Sequence, residues 1–118
     1  MFKPEHLKAA RIVHAANNSL RFHFGEPANP EWDELDEESK HRALVGVAKI
    51  AESPDITPQQ CHAMWVEAMA ADGYRYADNI DYVRKEHPNM VAYSQLPEPQ
   101  KLKDLLFISI VKETCGAP

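Results

Sequence analysis

The richest chemistry in the chain lies between Tyr74 and Leu96, where tyrosines, basic side chains and a histidine crowd together. Tyr74, Tyr76 and Tyr93 are aromatic planes with polar tips, on which a flat ring can stack. Arg75, Arg84, Lys85 and His87 are donors suited to a phosphate or a carboxylate. Together they supply the chemistry of a nucleotide-like pocket. Asp78, Asp81 and Glu86 offset the local positive charge, so the competing reading is a packed latch, with the aromatics fastening the segment down and the charges facing water. In that reading His87-Pro88 is the latch itself: the proline fixes the turn while the imidazole bonds to backbone.

Two further groups stand outside this segment. His62 and Trp65 lie one helical turn apart and can line a groove, or form a core tryptophan with a hydrogen-bonded histidine neighbour. Arg11, His14 and Asn17 share a face at spacings of three, as a polar pocket wall or as a network tying the first helix to the loop. Enzyme signatures are thin. No H-E-x-x-H, C-x-x-C or G-x-S-x-G spacing occurs, and four glycines build no phosphate-cradling loop. The expectation is a chain without catalytic residues, metal or cofactor.

The elements that must position these groups are mainly helical. A first helix opens at Pro4-Glu5 and runs to about Phe24, with Gly25 as its stop and Leu7, Ala10, Val13 and Leu20 as an imperfect apolar stripe. A turn-rich connector follows, in which Asn29 caps a short turn opened by Pro30 and Trp32 tucks under it. Asp36 caps a second helix, with Ala43, Leu44, Val47, Ala48 and Ala51 inward, ending before Pro54. Thr57, Pro58 and Gln60 write a capping box for a third, which Asp72-Gly73 closes. The last helix runs from Pro97-Glu98 to about Cys115 with Leu102, Leu105, Leu106, Ser109 and Ile110 inward, and Trp65 is expected to be buried against it. The fold class is therefore mainly α, four principal helices with a long ordered loop that has room for a short β-hairpin or a helical turn at Ile80 to Lys85.

Length and composition fit one domain spanning 1–118: 118 residues, 44% of them apolar, 26% charged. A net charge of −5 repels nucleic acid and anionic lipid at long range. The longest apolar run, Leu105 to Val111, is far short of the roughly 20 residues of a membrane span. Cys61 and Cys115 read as reduced core thiols, which points to a cytoplasm.

Across residues 61–111 several short motifs stand in a fixed order. They are His62-x-x-Trp65, then Gly73-Tyr74-Arg75-Tyr76, Lys85-Glu86-His87-Pro88, Val91-Ala92-Tyr93 and Leu96-Pro97-Glu98, closing with Lys101 and Asp104. In this order and spacing the chain resembles the ryanodine-receptor (RYR) repeat domain, and as a whole it looks like the small stand-alone RYR-domain proteins of bacteriophages and prophages. It departs from that pattern at Tyr74, where tryptophan is usual, at Ala77, where glycine is, and at Asn89, where cysteine is. The resemblance implies a ligand-binding or interaction module, in the host-cell cytoplasm if phage-encoded, recognising a nucleotide-like small molecule or a host or phage protein. Trp65, Tyr74, Arg75, Tyr76, Arg84, Lys85, His87 and Tyr93 are the candidate binding residues. A structural or host-protein-binding accessory protein with no small-molecule ligand is the alternative.

Overall fold

A computed structural model describes residues 2–116 as four helices: α1 (Pro4–His23), α2 (Glu37–Ala51), α3 (Pro58–Ala71) and α4 (Glu98–Cys115). The boundaries follow local chemistry. Asp36 Oδ1 accepts from the Ser39 amide at 2.7 Å to start α2, and Thr57 and Gln60 exchange bonds of 3.1 and 3.0 Å to start α3. Helices α1 and α3 close in the same way. Gly25 (φ 72°) and Gly73 (φ 92°) take the left-handed conformation, and the next amides, Glu26 and Tyr74, donate back to Arg21 and Met69.

Helix α4 lies antiparallel to α1. Cys115 Sγ sits 3.3 Å from the Glu5 carbonyl at one end, and Lys103 Nζ bonds Glu26 at the other. Ala9 and Ala10, both buried, let the two backbones approach closely. Val47 and Ile50 of α2, Ile56 and Cys61 around the start of α3, and Ile108 and Val111 of α4 complete the core, which Trp32 seals from the side of the connector.

The inward face of α4 differs in part from the expected one: Ile110 packs against the core and Leu106 is half-buried, but the rest of the stripe is not inward. Leu102, Leu105 and Ser109 are exposed, while Lys103, Ile108 and Val111 are buried and Asp104 and Phe107 are half-buried. The cause is Lys103, whose ammonium meets both carboxylate oxygens of Glu26 at 2.8 and 3.0 Å and so turns the helix about its axis. Trp65 accordingly has no leucine stripe to bury against and stays half-buried. Leu7 of α1 is likewise exposed, whereas Ala10 and Val13 are buried as expected, joined by His6 and Ala9.

The connector between α1 and α2 is held by side chains of α1. Arg11 forks onto Asp33, His14 Nε2 donates to the Pro30 carbonyl at 2.6 Å, and Asn18, not Asn17, trades two bonds with Asn29. Its one 3₁₀ turn covers Trp32–Glu34 and is preceded by Glu31, so Asn29 braces the connector rather than capping that turn.

The loop from Tyr74 to Leu96 is ordered by a two-residue parallel ladder, β1 (Arg75–Tyr76) beside β2 (Glu86–His87), and a 3₁₀ turn at Tyr93–Gln95. The pairing is parallel, so it is not the hairpin that adjacent strands would make. Residues 82–85 form turns in place of the expected helical segment, because Asp81 Oδ1 accepts from the Val83 and Arg84 amides and the Asp81 backbone pairs with Glu86.

Lys103→Ala would leave Glu26 without its cation at the α1–α4 junction. The expected loss is about 1–3 kcal/mol, below the range for fully buried pairs because Glu26 keeps some access to water. Equilibrium urea unfolding measures it.

Candidate functional site

Helices α2, α3 and α4 splay around a cleft of about 290 Å³. That is near the lower end of the roughly 300–1,000 Å³ typical of small-molecule sites. Its walls are mostly apolar. Helix α3 contributes Met64, Trp65 and Ala68, α2 contributes Val45 and Ile50, and α4 contributes Phe107. Gly46, in the middle of α2, leaves room opposite Phe107: a Cβ there would lie 3.6 Å from the ring. Asn89 reaches the rim from the loop.

Trp65 is held by two imidazoles. His62 stacks on it with centroids 5.7 Å apart at 21°, and His87 meets it edge-on at 5.0 Å. His62 is fixed in turn, its Nε2 donating to the Val91 carbonyl at 2.7 Å and Tyr93 standing edge-on at 6.3 Å. His87 is buried, and its Nδ1 accepts from the Asn89 amide at 3.1 Å. Burial, then the nearby Arg21 charge, pushes its pKa down, so the imidazole is neutral at pH 7.

The polar end of the cleft is Asp104. Its Oδ1 accepts from Gln100 at 3.4 Å, and its Oδ2 is shielded from solvent, accepts no hydrogen bond among the described residues, and faces His62 Nδ1 at 3.9 Å. Burial pushes the carboxyl above the usual carboxylate range, against the opposing pull of His62, Gln100 and Lys103. On the opposite wall Arg42 bonds Glu38 at 3.2 Å, and its Nε lies 3.4 Å from Asp72. Cys61 lies at the base with its thiol pushed up to about 12 by burial, which leaves almost no thiolate near neutrality.

The candidate residues divide between this cleft and the surface outside it. Trp65 lines the cleft, while His87 and Tyr93 brace it from behind. Tyr74, Arg75, Tyr76, Arg84 and Lys85 lie outside. Tyr74 packs against Tyr82 and under Lys85, Arg75 pairs with Glu86 at 2.8 Å, and the Tyr76 hydroxyl donates to Asp78. Lys85 Nζ donates to the Asp72 carbonyl at the end of α3, and Arg84 stands exposed beside Asp81. The cleft residues that sequence reasoning missed are Arg42, Gly46, Gln100 and Phe107, and Asp104 enters it only as the last position of the ordered motifs, without a site role. A glycine inside an otherwise regular helix was the signal available for one of them, and an aspartate set among the leucines of α4 for another.

No family model matches the chain, and no curated protein is similar to it. No helix among the described residues is long and apolar enough to cross a membrane.

Two substitutions in the cleft should raise stability. Gly46→Ala removes a mid-helix glycine and adds an ordinary contact to Phe107, a gain of about 0.5–1 kcal/mol in urea unfolding. For Asp104 the folded pKa lies above the unfolded one, so the protonated form favours folding, and that contribution is lost as pH rises through the raised value. Asp104→Asn should therefore melt higher than the native chain at pH 7, by about 1 kcal/mol, with the difference shrinking as pH is lowered through the raised Asp104 titration and absent below the normal carboxylate pKa of about 4.

Proposed function

We propose that this chain is a non-catalytic ligand-binding module of the RYR-repeat type, recognising a planar, nucleotide-like small molecule in the cleft between α2, α3 and α4. The observation that carries the reading is the half-buried Trp65 face, locked between His62 and His87 and set beside an unpaired acceptor at Asp104. A flat ring entering there would stack on Trp65 and replace water against Phe107 and Met64. Arg42 and the exposed Lys49 on α2 supply positive charge for an anionic group.

Binding is favoured over catalysis by the state of the reactive groups. A His-carboxylate dyad that works as a base keeps its outer nitrogen free for substrate, whereas His62 Nε2 is tied to the Val91 carbonyl. The one thiol at the cleft is held far from its nucleophilic form. The module reading also places the protein in a host-cell cytoplasm, as an accessory protein of a phage or prophage.

A second reading has its own observation. Tyr82 and Val83, at the tip of the loop, are 62% and 94% exposed. Apolar side chains so presented suit a protein contact, and the chain would then be a structural or host-protein-binding accessory protein with no small-molecule ligand.

A thermal-shift screen of nucleoside mono- and diphosphates, cyclic nucleotides and nicotinamide nucleotides separates the two. A ligand at a hundred times its Kd should stabilise the fold by about 2.7 kcal/mol, a shift of several degrees. Trp65→Ala should weaken it by one to two orders of magnitude, as loss of a stacking contact of about 1–3 kcal/mol implies, whereas Tyr74→Ala should leave affinity little changed. A flat screen would favour the protein-binding reading.

A further inference from the structure

A single carboxylate oxygen stands unpartnered at the polar end of the cleft: Asp104 Oδ2 is shielded from solvent and accepts no hydrogen bond among the described residues. His62 Nδ1 is 3.9 Å away, too far for a direct hydrogen bond, and the ring is held in that position by its Nε2, which donates to the Val91 carbonyl. Oδ2 is therefore left for a donor that arrives from outside.

The neighbouring donors that have partners are turned away from Oδ2. Lys103, next to Asp104 on α4, is closed on both oxygens of Glu26. Arg42, across the cleft on α2, donates to Glu38, and its buried Nε, 3.4 Å from Asp72, has no hydrogen-bond partner among the described residues. Cys61 on α3 offers only a weak thiol donor. Gln100 donates to Asp104 Oδ1 and not to Oδ2.

We propose that this end of the cleft recognises an N–H donor, an amidine, amino or ammonium group carried on a planar ring that lies against Trp65. The assignment rests on the ligand-binding reading above and names the chemistry of the ligand's inner group. It explains why an acidic side chain is kept in a largely apolar cleft where a leucine would pack without an unpaired acceptor. An acidic ligand group is disfavoured there, because it would face the Asp104 carboxylate.

The decisive experiment titrates the full chain with benzamidine, toluene and benzoate, which share one ring and differ in the group attached to it, following tryptophan fluorescence and amide shifts by NMR. Benzamidine should bind about 10- to 100-fold more tightly than toluene, the gain of a charge-assisted hydrogen bond, and benzoate more weakly than toluene. Asp104→Asn and Asp104→Leu should both erase most of the benzamidine preference, and Trp65→Ala should weaken benzamidine and toluene alike. Benzamidine affinity should also fall as pH is lowered through the raised Asp104 titration, since the cation needs the ionised carboxylate. Equal binding of benzamidine and toluene would overturn the donor assignment while leaving the cleft a ring-binding site. Failure of all three compounds to bind would overturn the cleft reading as well.

Discussion

The orientation of α4 about its own axis is set by Lys103, whose ammonium can leave water only where Glu26 receives it. Glu26 is in place because Gly25 ends α1 in a left-handed turn that folds the next residue back along the helix. Once Lys103 points there, the 100° step between residues turns Asp104, Phe107, Ile108 and Val111 inward and leaves Leu102 and Leu105 in water. Phe107 then stands opposite Gly46, and Asp104 opposite His62. The cleft wall on α4 thus follows from the same helix orientation that brings Lys103 to Glu26 and Ile108 and Val111 into the core.

Several residues at that cleft are poor choices for stability alone. Gly46 sacrifices helix propensity in the middle of α2. Asp104 keeps an oxygen out of water with no hydrogen bond in return among the described residues. Trp65 leaves part of its large apolar surface uncovered. Stability is usually surrendered in this concentrated way where a site is kept ready for something that arrives from outside, and the same three residues face one another across a single space. His62 and His87 have the opposite character, since each is pinned by a backbone partner and so fixes the indole between them.

Much of the scaffold was legible in the sequence because its signals are local. Proline at the first helical turn, the Thr57–Gln60 box, Asp36, and Gly25 and Gly73 after α1 and α3 act within a few residues, and each marks the boundary it writes. The phase of α4 was not legible. Leu102, Leu105, Leu106 and Ser109 form a helical stripe as regular as the true one, and the deciding residue is a lysine whose partner lies 77 positions away. The site was half legible for the same reason. Trp65, His87 and Tyr93 could be picked out as an aromatic group with a histidine, whereas Asp104, Phe107 and Gly46 become a wall only once the helices are packed. The basic residues of the loop drew attention by their number, yet Arg75 and Lys85 spend their charge on Glu86 and on the end of α3.

The central claim is that this cleft, and not the tyrosine-rich loop, is the binding surface. Mapping on the ¹⁵N-labelled chain tests it most directly, with amide and indole shifts followed during titration with nicotinamide mononucleotide and with benzamidine. The account predicts that the largest changes fall on the Trp65 indole, Gly46, Asn89 and the Asp104–Phe107 turn of α4. Changes centred instead on Tyr74 to Lys85, with the Trp65 indole unmoved, would contradict it.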